Sequence, residues 1–226
     1  MTHALDSATG SIINTTGADS NTSDAQKAVS EPICTESAPL PGLDEAQMAE
    51  GIRQFLTGMG LSLDHPDLKD TPARVVQAWQ AEFLAGYGMD PTRLLAERFP
   101  SPGGGPVILT GLSFVSMCPH HLLPVSGVAH VAYLPGDEVV GLGRISSLVD
   151  CFTRRLVLQE TSTRQIAETL MAELGCAGAA CVLSARQGCL SLRGARQTHA
   201  NCTTAVYLGA FEQDESLRTL FVRAWG

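Results

Sequence analysis

The chain has 226 residues, 44% of them hydrophobic, which suffices for one domain with a sizeable core or for a domain with a small appendage. A formal net charge of −8 argues against general binding to nucleic acids or anionic membranes, because both need a basic surface. Neither a membrane-spanning run of about 18 apolar residues nor a secretory signal is visible, so we expect a cytoplasmic protein.

Residues 1–40 differ in composition from the rest of the chain. They are rich in Ser, Thr and Asn and contain more acids than bases. Such a segment buries too little apolar surface to offset the entropy lost on ordering. We therefore predict a disordered acidic tail over 1–40.

Helical periodicity begins after the tail and characterises residues 41–100. Apolar residues recur at helical spacing behind Asp44, which predicts a helix over about 44–58 with Asp44 as its N-cap. The stretch "KDTPARVVQAWQAEFLAGYG" predicts a second helix, because Asp70 or Thr71 can cap its start, proline follows in the first turn and glycines end it.

Strands and helices alternate beyond the loop "PSPGGGP" at 100–106. Runs at 107–117 and 125–134 are typical of two strands in an antiparallel pair. Two helices are predicted next, "ISSLVDCFTRRL" and "STRQIAETLMAELG", the second opening at Ser162 by a capping-box spacing. Three predicted strands, "AACVLSAR", "CLSLRG" and "NCTTAVYLGAF", and the closing helix "DESLRTLFVRAW" complete the chain. The order predicts an α+β fold in which an antiparallel sheet carries a helix pair on one face.

A possible metal motif, "MCPHH", follows the first predicted strand. Cys118 and His121 are three positions apart, a spacing that lets a turn direct both donor atoms to one metal ion. The seven cysteines are scattered and do not form the framework of a small secreted domain, so we expect reduced thiols, some of them free for metal. Two ligands do not make a site, however, and the spacing is equally compatible with a buried cysteine beside two surface histidines.

Several motifs, taken in chain order, resemble the GTP cyclohydrolase I family. "DTPARV", "MCPHH", "GLGRISS", "RRLVLQE" and "CLSLRG" are similar to that family's D-T-P-x-R-V, Cys-Glu-His-His, G-L-S-K, R-R-x-Q-x-Q-E-R and C-x-x-x-R-G patterns. The resemblance covers roughly residues 43–225. It implies a T-fold catalytic domain over 101–226, preceded by the helical region 41–100, and a homo-oligomer in which rings of subunits form a decamer with active sites between subunits.

The resemblance also implies a reaction and a metal. The family hydrolyses GTP at C8, releases formate and forms 7,8-dihydroneopterin triphosphate, a precursor of tetrahydrofolate and other pterins. The family's Zn²⁺ ligands fall on Cys118, His121 and Cys189. Three protein ligands leave a fourth position for water, and zinc lowers the pKa of that water toward about 7, so that hydroxide can attack C8.

Further site residues follow from the same resemblance. His120 corresponds to a residue that contacts the reacting imidazole ring and can transfer protons as it opens. Glu160 matches the glutamate that accepts hydrogen bonds from guanine N1 and the 2-amino group, and Gln159 lies beside it. Three cations match the triphosphate-binding positions, where guanidinium groups can hold phosphate oxygens: Arg74, Arg144 and Arg193.

The chain departs from the family pattern at several of these positions. Gln187 stands where the family has a proton-transferring histidine, and glutamine cannot accept and return a proton near neutral pH. The other departures are Pro119 for glutamate, Gly143 for serine, Ser147 for an arginine of the triphosphate site, Thr161 for arginine and Gln197 for aspartate.

These departures leave two alternatives open. The first is a diverged enzyme of the same fold that stops at a ring-opened formamidopyrimidine or acts on another purine or pterin. The second is a catalytically silent subunit that joins a homologous ring. Retention of all three zinc ligands favours an enzyme over a catalytically silent subunit, because a scaffold would not require an open metal position.

Overall fold

The computed structural model describes residues 42–226, so the predicted tail over 1–40 lies outside the described residues. None of the helices in the described part combines the length and the hydropathy needed to cross a lipid bilayer. The helices are α1 (Glu45–Gly58), α2 (Thr71–Ala78), α3 (Pro91–Leu94), α4 (Leu142–Thr153), α5 (Gln159–Leu174), α6 (Gly188–Ser191), α7 (Ala210–Gln213) and α8 (Glu215–Arg223).

The first two helices begin where the sequence predicts. Asp44 is the N-cap of α1, and its carboxylate accepts a hydrogen bond from the backbone N–H of Gln47 at 2.9 Å. Helix α2 follows Asp70 and has a proline in its first turn. It continues into a π-helical turn (Trp79–Phe83) and a 3-10 turn (Ala85–Gly88), so the predicted second helix is divided into three segments.

Six strands form two antiparallel sheets within residues 42–226. They are β1 (Arg98–Pro100), β2 (Val107–Met117), β3 (Pro124–Leu134), β4 (Glu138–Val140), β5 (Gly178–Gln187) and β6 (Cys202–Gly209). The larger sheet has the order β2-β3-β5-β6, and β1 pairs with β4 in a two-stranded ribbon. Met117 lies opposite Pro124, and Val125 lies opposite Gln187. The last residue of β2, the first residues of β3 and the last residue of β5 therefore lie at the same end of the sheet.

The helix pair α4 and α5 packs on one face of this sheet, as the sequence predicts. Ile145, Leu148, Ile166 and Leu170 are fully buried against the sheet, together with alternate residues of β3 and β5. Helices α7 and α8 cover the opposite face, where Phe211 and Phe221 pack on Ala132, Ala180 and Val182. Because β5 is covered on both faces, its sequence is a continuous apolar run and does not alternate. The predicted α+β class, a T-fold, is confirmed.

Two predicted elements are wrong in detail. The stretch "CLSLRG" is not a strand, because Gly188–Ser191 forms the single helical turn α6. Helix α5 begins at Gln159, three residues before the predicted start at Ser162. Ser162 is therefore inside the helix, and its hydroxyl donates to the carbonyl of Phe152 at 2.7 Å, so a contact with α4 replaces the predicted capping interaction.

The segment between α4 and α5 runs beside the end of β2. Met117 N–H donates to the carbonyl of Arg155 at 3.3 Å, and Val157 N–H donates to the carbonyl of Met117 at 3.4 Å. These hydrogen bonds bring the start of α5 next to the turn that follows β2. They thereby place the segments "LQE" and "CPHH" at the same end of the sheet.

Candidate metal centre and substrate site

A tight turn between β2 and β3 holds Cys118 and His121. Leu122 N–H donates to the carbonyl of Cys118, and Cys118 N–H donates to the carbonyl of Leu123, both at 2.9 Å. Leu122 has φ 52°, a left-handed conformation that is uncommon for a side chain of this kind and that such hydrogen bonds must stabilise. The turn places Cys118 in a buried position and His121 at the surface.

The third donor, Cys189, comes from the junction between β5 and α6. Gly188 precedes it, and a Cβ atom at Gly188 would lie 2.5 Å from the carbonyl oxygen of Pro124. Only glycine therefore allows the end of β5 to approach β3 so closely. This approach places Cys189 beside the turn that carries Cys118.

The donor atoms of Cys118, His121 and Cys189 all lie within 4.8 Å of one another. The Sγ of Cys118 is 3.7 Å from the Nδ1 of His121, and two ligands of a tetrahedral zinc ion lie about 3.5–3.8 Å apart. It is the only group of this kind among residues 42–226. Two thiols and one imidazole form a donor set that suits a soft divalent metal and leaves a fourth position open.

The ionisation of the thiols fits a cation at this position. Burial and the neighbouring Cys118 thiol raise the pKa of Cys189, because two adjacent thiolates repel each other. A divalent cation removes that repulsion, since metal binding and thiol deprotonation occur together. The residues present therefore fit a bound metal ion.

His120 and Arg193 flank the three donors. His120 is exposed, and its Nδ1 is 3.9 Å from the Sγ of Cys118. Arg193 donates to the Nε2 of His121 at 3.0 Å, which requires the proton of that ring to be on Nδ1. A metal at Nδ1 leaves the proton on Nε2, so both partners of this contact would become donors and Arg193 would have to turn away.

Gln159 and Gln187 form a hydrogen-bonded pair at the start of α5. The amide Nε2 of Gln187 donates to Oε1 of Gln159 at 2.6 Å. Gln159 is buried and donates in turn to the carbonyls of Leu183 and Cys202 and to the hydroxyl of Thr204. The side chain of Gln159, which the resemblance places beside the substrate, therefore makes its hydrogen bonds within the chain.

Glu160 lies in the first turn of α5 and is exposed. Its carboxylate is close enough to Cys202 that it adds to the effect of burial in raising the pKa of that thiol. Because Glu160 is exposed, its carboxylate oxygens are available as acceptors for a ligand.

The other two predicted phosphate ligands lie on separate elements. Arg74 is on α2 and forms an ion pair with Asp70 at 3.4 Å, and Arg144 is on α4 and forms an ion pair with Glu97 at 3.2 Å. Both side chains are largely exposed. No hydrogen bond or ion pair among residues 42–226 joins either of them to the metal donors.

Some residues of the site carry no signal in the sequence. Thr204 is on β6 and Thr163 is on α5, and their hydroxyl oxygens are 2.6 Å apart beside Gln159. Thr163 also donates to the backbone carbonyl of Gln159 at 2.7 Å. The contact between the two hydroxyls depends on the packing of α5 against β6, so no spacing along the chain could have indicated it.

The chain is similar to known proteins over most of its length. The family model described as GTP cyclohydrolase I matches residues 48–225. A GTP cyclohydrolase 1 of Leifsonia xyli subsp. xyli is 44% identical over 176 residues, which is 77% of this chain and 92% of the relative. The protein of the same name from Ralstonia nicotianae is 38% identical over 181 residues, covering 80% and 87% of the two chains.

One solved structure, an archaeosine synthase QueF-Like in the apo form, is 16% identical to this chain and has a TM-score of 0.39. The match covers 46% of this chain and 94% of that protein, and the similarity is too weak to support an argument. The match to the family model covers most of the described residues, including the three candidate metal donors and the start of α5. The chain therefore belongs to the GTP cyclohydrolase I family.

Proposed function

We propose that this protein is a zinc-dependent enzyme that hydrolyses GTP at C8, releases formate and forms 7,8-dihydroneopterin triphosphate. The observation that carries the proposal is the convergence of Cys118, His121 and Cys189 from two different strand ends to within 4.8 Å. Membership in an enzyme family whose curated relatives are GTP cyclohydrolases supports the substrate and the reaction.

The three donors would hold the zinc ion. Zinc with three protein ligands keeps a fourth position for water and makes that water acidic enough to supply hydroxide near neutral pH. His120 is exposed beside Cys118 and can move protons at the imidazole ring of the substrate.

We assign recognition of the base and of the triphosphate to charged side chains of this protein. The Glu160 carboxylate offers two oxygens to the N1 and 2-amino hydrogens of guanine, which adenine does not present. Arg193, which must leave His121 when a metal binds, is then free to hold a phosphate. Arg74 and Arg144 are exposed and can exchange their carboxylate partners for phosphate oxygens.

We also propose that the protein is a homo-oligomer, a decamer as in the family resemblance. Strands β2 and β6 are the edges of the larger sheet, and neither has a second neighbour among residues 42–226. Unpaired edges favour association with another sheet. The mass in solution should therefore be far above 23.9 kDa, and a stable monomer would argue against a site shared between subunits.

Two products measured separately test the proposed reaction. Zinc-loaded protein is incubated with GTP, formate is measured, and the pterin is detected by its fluorescence after oxidation. Release of both supports the full reaction, and formate without pterin supports hydrolysis that stops before ring closure. Release of neither product, with GTP unconsumed, contradicts the proposal and favours another substrate or a silent subunit.

A formamidopyrimidine product remains the second candidate because of Gln187. Gln187 is hydrogen-bonded to Gln159, and its amide cannot exchange a proton near neutral pH. Water addition would then proceed while a later proton transfer becomes slow. In the same incubation, this outcome consumes GTP but releases neither formate nor fluorescent pterin, because the ring-opened nucleotide keeps its formyl group; that nucleotide is then detected by chromatography.

A further inference from the structure

Arg155 is a buried cation in the segment between α4 and α5. It is 7% exposed, and no ion pair in the described part of the chain includes it. Its guanidinium carbon lies 5.2 Å from the ring centroids of both Tyr87 and Phe152, within the range of a cation–π contact. Its Nη2 atom donates to the carbonyl of Gly86 at 2.9 Å and to the thiol of Cys151 at 3.4 Å. Because the charge has no carboxylate partner, its stability depends on these groups staying in place.

The 3-10 turn that contains Gly86 packs closely against the end of α4. A Cβ atom at Gly86 would lie 2.6 Å from the carbonyl oxygen of Cys151 and 2.9 Å from that of Arg154, so only glycine fits here. Gly86 N–H also donates to the carbonyl of Arg154 at 3.1 Å. The turn therefore has little room to move relative to α4, and it offers the Arg155 side chain a fixed partner.

The backbone of Arg155 contacts a different element, the end of β2. Its carbonyl oxygen accepts hydrogen bonds from Met117 N–H at 3.3 Å and from the Ser116 hydroxyl at 3.4 Å. Cys118, one of the three candidate metal donors, follows Met117 directly. Arg155 therefore joins two parts of the molecule, because its side chain is bound to the turn at Gly86 and its backbone is bound to the strand that leads into Cys118.

We propose that Arg155 is a positioning residue for the metal centre. Its buried guanidinium holds the segment between α4 and α5 in place, and the Arg155 carbonyl thereby keeps the end of β2, and with it Cys118, where the thiol lies close to the other two donors. This inference rests on the proposed function of the site. No hydrogen bond or ion pair within residues 42–226 joins the Arg155 side chain to a metal donor, so its effect on the metal passes through the backbone.

Cobalt in place of zinc tests this role, because the absorption bands of Co²⁺ depend on the number and arrangement of its ligands. Metal-depleted protein is loaded with Co²⁺, and zinc affinity is measured separately by competition with a chelator. In Arg155→Met we expect the Co²⁺ bands to shift and the zinc affinity to fall about tenfold, the lower end of the loss when an outer-shell partner is removed. The Gly86 carbonyl keeps a partner in this variant, because it also accepts Met89 N–H at 3.3 Å.

Two further variants separate positioning from a loss of stability. Arg154→Met removes the ion pair with Glu82, 2.9 Å long, which joins the π-helical turn to α4, but the Arg154 backbone makes no hydrogen bond to β2 in the part of the chain that is described. It should leave the Co²⁺ bands and the zinc affinity unchanged, whatever its effect on Tm. Arg155→Lys should preserve both readouts, because its amine can donate to the carbonyl of Gly86 in place of the guanidinium.

Unchanged bands and affinity in Arg155→Met, or equal changes in Arg154→Met or Arg155→Lys, overturn the role of Arg155 and leave the proposed function intact. Arg155→Gln replaces the Met variant if that protein does not fold, as judged by circular dichroism, since a glutamine side chain is too short to reach Gly86. If the unmutated protein takes up neither Co²⁺ nor Zn²⁺, the proposed function itself fails. The two failures therefore give different results.

Discussion

At the residue scale, the candidate metal centre brings two thiols and one imidazole together. Cys118 is buried, and Cys189 has a raised pKa because of its burial and its proximity to Cys118. His121 is exposed and completes the donor set from the surface side. Metal binding should therefore release protons and weaken as the pH falls.

Removal of any one donor should release most of the metal. We expect purified protein to contain about one zinc per chain, and Cys118→Ala, His121→Ala and Cys189→Ala each to lose most of it, because two remaining ligands bind far more weakly than three. The measurement is zinc per chain by atomic emission. Cys181→Ala is the control, since Cys181 lies fully buried in β5 away from the three donors. Full zinc retention in Cys189→Ala would contradict the assignment.

Restoring a titratable group at position 187 should raise the yield of pterin. In Gln187→His, the imidazole can keep the hydrogen bond to Gln159 and can also transfer protons near neutral pH. We expect pterin formation from GTP to increase by a factor on the order of 10². If the unmutated protein already forms pterin at about 0.1–10 per second, His120 suffices for proton transfer and this expectation is wrong.

At the element scale, the sequence predicts those elements whose signals are local. The N-cap of α1 and the β2–β3 pair follow from capping and strand patterns, and the structure confirms both. The stretch after β5 alternates like a strand, but Gly188 allows a close approach to β3 and the chain turns into α6 there. Tertiary contacts thus override the local pattern where the chain forms the candidate metal centre.

Gly188 should be required for the geometry of the metal centre. The Cβ atom in Gly188→Ala would lie 2.5 Å from a backbone oxygen of Pro124, so the end of β5 must move away from β3 and carry Cys189 with it. We expect zinc affinity, measured by competition with a chelator, to fall about tenfold or more.

Gly51→Ala is the matched control for this variant. Gly51 lies in α1, and an added Cβ there meets nothing within 4 Å, so its zinc affinity should equal that of the unmutated protein. Equal affinity in Gly188→Ala and Gly51→Ala would refute the proposed role of the close approach.

At the scale of the whole molecule, the sheet is stabilised by two apolar layers, one of which the sequence predicts. The layer beneath α4 and α5 follows from helical periodicity. The layer beneath α8 includes the stacking of His130 on Trp225, with ring centroids 4.7 Å apart, which no local pattern indicates. The direct pairing of Gln159 with Gln187 is likewise a consequence of how α5 meets β5.

The layer beneath α8 should make stability depend on pH. Burial lowers the pKa of His130 below its usual value of about 6.5, and its Nδ1 accepts from Gly111 N–H, so the neutral ring is favoured in the folded state. The unfolded chain then binds more protons, and stability is fully present above about pH 6.5 and decreases as the pH falls.

Urea unfolding at pH 7.5 and 5.5, at one protein concentration, measures this loss. The slope for one proton cannot exceed about 1.4 kcal/mol per pH unit. The loss should be smaller in His130→Leu, which cannot be protonated. An equal loss in both proteins would assign the pH dependence to other groups.

We propose that hydrolysis of GTP requires one zinc ion held by Cys118, His121 and Cys189. Its most direct test is the initial rate of formate release from GTP, measured while metal-depleted protein is titrated with zinc. We expect the rate to rise in proportion to bound zinc and to stop rising at about one zinc per chain, and we expect no formate release from Cys189→Ala at any zinc concentration. Formate release that is independent of zinc, or that persists in Cys189→Ala, would contradict it.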